Sequence, residues 1–420
     1  MTNLRAEALR LFDVAIKAAD PARALRAGMA ANPVPKPIIN GQYIIVSVGK
    51  AAVPMAREAL CLIGDVPARV LVVTNYENAC DLAGARVIAA SHPVPDENGR
   101  IAGEAVAQIL TEAGANDRVL ALISGGGSAL LPAPVPGLSL DDKATVNRLL
   151  LAGGFDISEM NLVRQQLSRL KGGGMVRLAA PAPVSAFILS DVIGDDLRVI
   201  ASGPTVAPLG TKAQARDLLK ARGIWADLPA HVRAILEQTE PAGDTPPKAD
   251  NHLIGSNRKS LEAIEKASDV FKAVIVSDRL EGDVSEACGT ILKAARVIPA
   301  GHPACLIFGG ETTVTLRGNG QGGRNQELAL RMAIAAPDVL TGREWVFLSG
   351  GTDGRDGPTE AAGGIVDAGS LARLRAAGAD ALALLANNDS NAALAASGDL
   401  VVTGATGTNV ADVQILLLGP

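Results

Sequence analysis

The sequence predicts an α/β protein made of two three-layer α/β/α domains, and three observations support this class. Short, β-branched apolar segments alternate with Ala- and Leu-rich segments of helix length, as in mostly parallel sheets covered by helices on both faces. The chain has 420 residues, which is more than one hydrophobic core usually supports. A Pro-rich, acidic segment at 237–251 separates two groups of predicted strands. We therefore expect one domain at 1–240 and a second at 250–420, joined by a linker or a long surface loop.

The first domain is expected to begin with an amphipathic helix within residues 1–20. Charged residues recur throughout this segment, and it lacks the apolar core of a signal peptide. The strands that follow are short, apolar and bounded by Gly, Ser or Asp, at 43–48, 69–74, 86–90, 118–123 and 184–189. Because helix-length segments separate them, they predict a mostly parallel sheet.

The second domain shows the same kind of pattern after the Pro-rich segment. Its predicted strands lie at 273–278, 304–308, 313–317, 344–349, 399–404 and 413–418. These are enough for a second sheet with its own core.

Composition argues against several classes of function. The net charge is −5 without a basic stripe, which argues against a nucleic-acid partner. No apolar run has the length of a membrane span, and the N-terminal helix does not resemble a signal peptide, so a cytoplasmic protein is expected. The four cysteines form no CxxC and are expected to be reduced core thiols. The four histidines do not have the spacing of metal ligands, which argues against a His/Cys zinc site. No sequence pattern predicts the oligomeric state.

Glycine-rich turns follow many of the predicted strands. Ligands of open α/β sheets bind beyond the carboxyl ends of the strands, where such turns offer backbone N–H groups to phosphate. Lys50 follows the strand at 43–48 and suits a phosphate as a compact cation, although it could be an ordinary surface lysine. The turn after 118–123 is either a phosphate cradle or only a tight strand-to-helix turn, and it contains Ser124, Gly125, Gly126, Gly127 and Ser128.

Four carboxylates and one arginine also follow predicted strands. Asp191 is a candidate site residue or a helix N-cap, and Glu311 is a candidate or a solvated loop acid. Asp353 and Asp356 share a Gly-rich loop, where such pairs often only stabilise turns. Arg324 opens a predicted helix, where the helix dipole disfavours a cation, so it predicts a compensating anion.

Taken together, these residues predict phosphoryl transfer. Backbone N–H groups and cations bind phosphate, whereas carboxylates bind Mg²⁺ and accept a proton from an attacking hydroxyl. The sequence has no GxxxxGK[ST] motif and no protein-kinase motif set. A GxGxxG match at 318–323 raises a competing dehydrogenase, but the acidic residue expected at the end of the next strand is missing.

As a set, these turns resemble the glycerate 2-kinase family, also called class II glycerate kinases and often named hydroxypyruvate reductases. The similarity runs in order through nearly the whole chain. It is carried by SHPVPDENG (91–99), LISGGGSALL (122–131), NLVRQQLSRLKGGG (161–174), LSDVIGDDLRVIASGPTV (189–206), GGETTVTLRGNGQGGRNQELAL (309–330) and SGGTDGRDGPTEAAGG (349–364).

The resemblance implies a Rossmann-like N-terminal domain, a smaller C-terminal domain with a mixed sheet, and an active site in the interdomain cleft. It also implies transfer of the γ-phosphoryl group of ATP to the 2-hydroxyl of D-glycerate, with Mg²⁺, giving 2-phosphoglycerate and ADP. ATP, Mg²⁺ and D-glycerate are therefore the expected ligands, without nucleic acid or membrane.

The resemblance places catalytic weight on Lys50 and Arg324, and charge and position then give hypotheses for the roles of individual residues. Lys50 and Arg324 are expected to neutralise the γ-phosphate and the glycerate carboxylate. Asp191 or Asp353 would activate the hydroxyl, and the other, with Glu311, would hold Mg²⁺. Substrate or nucleotide contacts are expected from Ser124, Gly125, Gly126, Gly127, Ser128, Glu311, Asn325 and Asp356.

Two motifs of the resemblance have a second interpretation. The loop around His92 is expected to be a rigid border of the site, and Lys171 is expected in a helix C-cap rather than in catalysis. Two alternative functions also remain open at this point, an NAD(P)H-dependent hydroxypyruvate reductase and a non-catalytic sugar-acid binding protein.

Overall fold

The computed structural model describes residues 3–239 and 248–420. The chain divides into two compact units, which we describe separately. The N-terminal unit is Ala24–Ile254, and the C-terminal unit combines Met1–Arg23 with Gly255–Pro420. The first 23 residues, which were predicted in the first domain, therefore belong with the C-terminal unit.

The helices of the described residues are mostly short. They are α1 (Leu4–Ala18), α2 (Pro21–Ala31), α3 (Ala52–Ile63), α4 (Glu97–Thr111), α5 (Gly127–Leu130), α6 (Leu140–Ala152), α7 (Ile157–Gln166), α8 (Gly174–Ala179), α9 (Lys212–Ala221), α10 (Ala230–Glu237), α11 (Asn257–Ala267), α12 (Val284–Arg296), α13 (Arg324–Val339), α14 (Ser370–Ala376), α15 (Ala381–Ala386) and α16 (Ser390–Ser397).

The strands form two large sheets and one small pair. They are β1 (Tyr43–Val48), β2 (Ala68–Asn75), β3 (Arg86–Ala90), β4 (Arg118–Ile123), β5 (Val184–Leu189), β6 (Asp250–Gly255), β7 (Lys272–Ser277), β8 (Gly282–Asp283), β9 (Ala304–Gly310), β10 (Thr312–Thr313), β11 (Trp345–Gly351), β12 (Gly363–Asp367), β13 (Leu400–Val401) and β14 (Asp412–Leu418).

The sheet of the N-terminal unit has the order β3-β2-β1-β4-β5-β6, and β3 to β5 pair in parallel. All five predicted strands of this sheet are confirmed. Val48 pairs with both Val73 and Ile123, so the carboxyl ends of three neighbouring strands coincide. The sixth strand, β6, was missed because Asp250–Gly255 is largely polar.

Helices cover both faces of this sheet. Ile44 and Val46 pack in one apolar cluster with α4, whereas Tyr43 and Ile45 pack on the opposite face with α2 and α3. This alternation along β1 follows the two-residue period of a strand. Burial on both faces explains why the strands are continuously apolar.

The sheet of the C-terminal unit has the order β13-β12-β11-β14-β9-β7 and is mixed. Strands β7 and β9 are parallel, and the other neighbours are antiparallel. The predicted strand at 313–317 is wrong, because only Thr312–Thr313 is a strand. Leu316 is 79% exposed, so this segment has no core to face. Strand β12 was missed because Gly363–Asp367 begins with two glycines.

The amphipathic N-terminal helix is confirmed as α1, and its apolar side packs on the C-terminal sheet. Leu11 and Phe12 share a buried cluster with Leu348 of β11 and Ile415 of β14. The boundary between the two units also differs from the predicted one. Strand β6 was expected to belong to the second domain, but it extends the N-terminal sheet. Residues 240–247 of the predicted linker lie outside the described residues.

The fold prediction is thus confirmed as an α/β protein with a mostly parallel first sheet and a mixed second sheet. No helix in the described ranges combines the length and apolarity needed to span a membrane. All four cysteines are free, but Cys61 and Cys80 are exposed, so the prediction of core thiols holds only for Cys288 and Cys305.

Candidate active site

Lys50 stands where β1 ends, in a turn that is fastened to the turn after β4. The Lys50 backbone N–H donates to the Gly125 carbonyl at 2.9 Å, and the Ala51 N–H donates to Ser124 Oγ at 3.1 Å. Gly49 has φ +119°, and a Cβ there would overlap Ser124, so this position requires glycine. The predicted Lys50 and Ser124–Ser128 turns therefore form one unit at the carboxyl edge of the parallel sheet.

The Ser124–Ser128 turn leads directly into α5. Gly126, with φ +84°, turns the chain so that α5 can begin at Gly127. The Ser124 hydroxyl is buried and donates to the Val48 carbonyl at 3.2 Å, while the Ser128 hydroxyl bonds with that of Ser202. Both serine hydroxyls are therefore engaged within the protein, so a phosphate would contact the backbone of this turn.

Three side chains surround the two glycines at the start of this turn. A Cβ on Gly125 would overlap the Asp191 carboxylate. A Cβ on Gly126 would lie 3.1 Å from Cδ2 of His92 and 3.4 Å from Cγ of Lys50. The structure thus brings Lys50, Asp191 and the turn together and places the His92 loop at their border, as the sequence predicted. We call this group the N-terminal half-site.

Charges in the N-terminal half-site influence one another. Burial and the nearby Lys50 ammonium lower the pKa of His92 below 6.5, so the imidazole is neutral at pH 7. Lys50 itself is half-buried and forms no ion pair with the residues that the structure describes. Its charge is therefore available to an anion.

The C-terminal half-site lies where β11 and β9 end and α13 begins. Asp356 is 3% exposed and accepts hydrogen bonds from the backbone N–H groups of Asn325 (3.1 Å) and Gln326 (2.8 Å). Burial raises the pKa of Asp356, and these donors oppose the rise. Its carboxylate thereby accepts hydrogen bonds from N–H groups at the start of α13 that have no partner within the helix.

Arg324, the first residue of α13, is held by two carboxylates. Its Nε and Nη2 donate to Asp412 at 2.6 and 3.0 Å, and its Nη1 lies 3.1 Å from Glu311. The anion predicted from the helix dipole is thus supplied by the protein itself. Asp412 is fully buried, and burial raises its pKa to about 6 despite the arginine. The Arg324 side chain is 34% exposed, so it can still face a ligand.

Asp353 and Asn325 complete this half-site in different ways. Asp353 is half-buried, and its Oδ1 accepts the Arg355 N–H at 3.0 Å, so it also closes its own turn. A Cβ on Gly351 would lie 3.2 Å from Asp353 Oδ1 and 3.6 Å from Asp412 Oδ1, so both carboxylates border the same residue. Asn325 is 1% exposed and accepts from the Ser349 hydroxyl at 2.6 Å.

The predicted site residues therefore fall into two groups. Lys50, Ser124–Ser128 and Asp191 meet in the N-terminal unit, and Glu311, Arg324 and Asp353 meet in the C-terminal unit. Asn325 and Asp356 were predicted to bind substrate or nucleotide, but their buried polar atoms bond to the protein. Their side chains fix the start of α13, and their contact with a substrate or nucleotide stays a prediction.

The dehydrogenase interpretation loses its structural basis. Residues 318–323 do not follow a strand directly, because β10 ends at Thr313. The Gly318 N–H donates to Asn388 Oδ1 at 3.0 Å, and the Gly320 N–H donates to the Asn387 carbonyl at 2.9 Å. These N–H groups are used within the protein, whereas a dinucleotide motif directs them at a pyrophosphate.

Similarity to known proteins shows the family to which this chain belongs. Residues 7–237 match the model of a domain of unknown function, DUF4147, and residues 304–412 match the MOFRL family. A D-glycerate 2-kinase of Thermotoga maritima is 41% identical over 428 residues, covering 99% of each chain. The chain belongs to the glycerate kinase (DUF4147/MOFRL) family.

Glycerate kinase family relatives carry more than one name. An Agrobacterium vitis protein named "Putative hydroxypyruvate reductase" is 41% identical over 98% of this chain and 93% of its own length. The crystal structure of a glycerate kinase from Thermotoga maritima superposes with a TM-score of 0.90 at 38% identity, covering 99% of both chains. The resemblance stated from the motifs is thus confirmed.

The donor atoms of this glycerate kinase family member suit a magnesium ion that arrives with a nucleotide. Mg²⁺ prefers oxygen ligands and usually takes only one or two carboxylates, together with substrate phosphates and water. Asp191 and Asp353 are half-buried carboxylates at strand ends, and Glu311 is exposed beside Arg324. Nowhere in residues 3–239 and 248–420 do three or more acidic, His or Cys side chains form a cluster able to hold a metal.

Asp412 is the site residue that sequence reasoning missed. It is the first residue of β14 and directly precedes the predicted strand at 413–418, whose bounds did not include it. A signal was present, because an acidic residue at the start of a buried strand needs a cation or several hydrogen-bond donors. Its partner, Arg324, is distant in the sequence and could not be chosen without the fold.

Proposed function

We propose that this protein transfers the γ-phosphoryl group of ATP to the 2-hydroxyl of D-glycerate, giving 2-phosphoglycerate and ADP. The observation that carries the proposal is Lys50, which forms no ion pair with the described residues and whose side chain lies against Gly126, next to the Gly125 that borders the Asp191 carboxylate. A cation, a glycine turn and a carboxylate at the ends of the neighbouring strands β1, β4 and β5 are the parts that phosphoryl transfer uses. The names of the relatives supply the acceptor, D-glycerate.

In this proposal the N-terminal half-site handles the reacting atoms. Lys50 binds oxygens of the γ-phosphoryl group, and the backbone of the Ser124–Ser128 turn contacts the phosphate chain. Asp191 accepts the proton of the 2-hydroxyl while the hydroxyl oxygen forms a bond to the γ-phosphorus. The bond between that phosphorus and the β,γ-bridging oxygen breaks, and ADP leaves with the bond's electron pair.

The C-terminal half-site binds the acid and the metal-bound nucleotide. Arg324 offers its exposed face to the glycerate carboxylate, while Asp412 and Glu311 fix the guanidinium plane. Asp353, with Glu311, would hold Mg²⁺, which neutralises charge on the phosphate oxygens when it is bound. Asn325 and Asp356 keep the start of α13 in place.

The decisive experiment mixes the purified chain with ATP, Mg²⁺ and D-glycerate and follows ADP. Phosphorus NMR then distinguishes 2-phosphoglycerate from 3-phosphoglycerate. ADP that forms only with D-glycerate, together with the 2-phosphate signal, is the expected result. Exclusive 3-phosphoglycerate would refute the regiochemistry. Oxidation of NADH or NADPH by hydroxypyruvate without kinase turnover, or glycerate binding without turnover, would refute the reaction.

A further inference from the structure

The Ser124–Ser128 turn is held from outside by a segment to which the proposed reaction gives no role. Ser128, the last residue of the turn, bonds through its hydroxyl with the hydroxyl of Ser202. Ser202 is fully buried and ends a short 3-10 turn, Ile200–Ser202, that packs against α5. We call Ile200–Ser202 the supporting turn.

The supporting turn has a backbone conformation that favours glycine, although two of its residues are not glycine. Ala201 and Ser202 have φ of 50° and 62°, and Gly203 follows with φ 65°. Non-glycine residues rarely adopt such angles, and they do so where the surrounding structure enforces the conformation, often at functional sites. Glycine would fit position 202 without strain. The serine side chain must therefore make interactions that offset the strain.

The Ser202 hydroxyl makes two such interactions, and they have a defined direction. It donates to Asn161 Oδ1 at 2.9 Å, and Asn161 is a residue of α7 that is 1% exposed. Because a hydroxyl carries a single proton, Ser128 must be the donor in the bond between the two serines. Ser202 therefore connects the Ser124–Ser128 turn to α7.

The supporting turn is itself fixed by its neighbours. The Ser202 carbonyl accepts from Gln165 Nε2 and from the Gly172 N–H, both at 3.1 Å. Gln165 is buried, and its Oε1 accepts the Leu209 N–H at 2.8 Å. Both ends of the Gln165 amide are thus bonded to backbone groups, so Ser202 is a rigid partner for Ser128.

The Ser124–Ser128 turn needs this support because α5, into which it leads, has only four residues. So short a helix is not stable through its own hydrogen bonds. A Cβ on Gly127 would lie 2.9 Å from Cβ of Ala201, so α5 lies directly against the supporting turn. Ser128 is also held at its carbonyl, which accepts from Lys171 Nζ at 2.9 Å. The position of the turn therefore depends on contacts made from outside it.

We propose that Ser202 is a positioning residue for the phosphate chain of the nucleotide and acts through the Ser128 hydroxyl. This inference rests on the proposed function, in which the backbone of the Ser124–Ser128 turn contacts those phosphates. A hydrogen bond weakens steeply when its donor points away from the acceptor, so a turn released from Ser202 binds phosphate oxygens less tightly. The loss concerns the nucleotide rather than D-glycerate.

Calorimetry of the full chain with ADP and Mg²⁺ tests this role without turnover. Ser202→Ala and Ser202→Gly both remove the hydroxyl, but glycine also relieves the left-handed conformation. Both should weaken ADP binding by roughly fivefold or more, although Ser202→Gly should unfold at a higher temperature than Ser202→Ala. Ser260→Ala is the matched control, because Ser260 is equally buried and its hydroxyl donates to the Ala15 carbonyl at 2.9 Å. Its ADP affinity should match wild type.

A double-mutant cycle shows whether Ser202 acts through Ser128. Ser128→Ala should weaken ADP binding about as much as Ser202→Ala, and the variant with both changes should bind no more weakly than either, because all three lose the same bond. In the kinase assay, the KM for ATP should rise by the same factor, whereas the KM for D-glycerate should change by about twofold at most. If Ser202→Ala does not fold, Ser202→Gly and Ser128→Ala provide the test.

The outcomes separate this role from the proposed reaction. ADP binding that the Ser202 variants weaken supports the role even if no glycerate-dependent turnover is found, a result that would refute only the reaction. Wild-type ADP affinity in both Ser202 variants, recovery of that affinity in Ser202→Gly, or additive losses in the double variant would overturn the role. A wild-type chain that does not bind ADP would also overturn it.

Discussion

At the scale of single residues, Lys50 and Arg324 carry the same charge in different surroundings. Lys50 forms no ion pair among the residues described, whereas Arg324 is shared between Asp412 and Glu311. An unpaired ammonium offers its full charge to developing negative charge on a phosphoryl group. A guanidinium fixed by two carboxylates is better suited to orienting a ligand than to neutralising one.

Replacing Lys50 tests this difference. Lys50→Ala should lower kcat by roughly 10²–10³-fold, because one preorganised charge at the reacting phosphoryl group is lost. Its melting temperature should stay close to wild type, since the half-buried ammonium is not paired within the described structure. Steady-state ADP release and thermal unfolding measure the two effects. Lys36→Ala, an exposed lysine before β1, is the control and should match wild type in both.

Replacing each of the two candidate carboxylates should change a different kinetic parameter. Asp191→Asn should lower kcat by roughly 10²–10⁴-fold with little change in KM, as expected for loss of a general base. Asp353→Asn should instead raise the Mg²⁺ concentration for half-maximal activity by at least roughly tenfold. Initial rates across a magnesium titration distinguish them. Exchanged behaviour of the two variants would mean that the roles are reversed.

Asp412 gives the protein a defined pH dependence of stability. Burial raises its folded pKa from 3.8 to about 6, so the folded state binds this proton more tightly than the unfolded state. Its contribution to the free energy of unfolding is therefore fully present below about pH 4 and falls by about 3 kcal/mol as the pH rises through 6. Arg324 remains charged throughout, because Asp412 raises its pKa further.

The difference in unfolding free energy between wild type and Asp412→Asn isolates this ionisation. That difference should decrease between pH 4 and pH 6.5 and stay constant above, with urea denaturation as the measurement. Other carboxylates titrate in both proteins and cancel. A difference that is flat or increases with pH would show that ion pairing outweighs burial at Asp412.

At the scale of elements, the half-sites depend on turns that begin at strand ends. The Lys50 turn and the Ser124–Ser128 turn are joined by two hydrogen bonds, so neither can shift alone. The Asp191 carboxylate can lie against Gly125 because glycine has no side chain. In the C-terminal unit, Asp356 fixes the start of α13 and thereby the position of Arg324.

Gly125→Ala should therefore separate activity from folding. Gly125 has no positive φ, so its backbone accepts alanine, but the added Cβ would displace the Asp191 carboxylate. We expect kcat to fall by roughly tenfold or more, with a native circular dichroism spectrum. Gly289→Ala is the control, because this helical glycine has open space at its Cβ and alanine favours helices. Equal activity of both variants would contradict the proposed place of Asp191.

The elements also show what the sequence could predict. Strands buried on both faces, such as β1 and β4, were found with their bounds because their apolar runs are continuous. β6 and β12 were missed because they are polar or begin with glycine, and their pairing comes from neighbouring strands. Charged site residues that follow strands were predicted, whereas Asp412 was not, because its partner Arg324 is distant in the sequence.

At the scale of the whole molecule, the order of the chain does not match the order of the units. α1 opens the sequence but packs on the C-terminal sheet. Arg5 of α1 adds ion pairs with Asp367 (2.5 Å) and Asp399 (3.0 Å) of the same unit. The C-terminal core is therefore built from both the first and the last part of the sequence. A prediction that divides the chain at a single point cannot describe such a domain.

Phe12→Ala should reveal this dependence. Phe12 is 1% exposed in the cluster of the C-terminal sheet, and its ring lies against Gly350 at the end of β11. Truncating it should destabilise the protein by roughly 3–5 kcal/mol, through lost apolar burial and the cavity that remains. Because stability is distributed unevenly over a protein, hydrogen exchange should rise first in β9 and β11 while β1 and β4 stay protected. Leu9→Ala, on the exposed side of the same helix, is the control and should leave both sheets protected. Faster exchange in β1 and β4 with an unchanged C-terminal sheet would show instead that α1 stabilises the N-terminal unit.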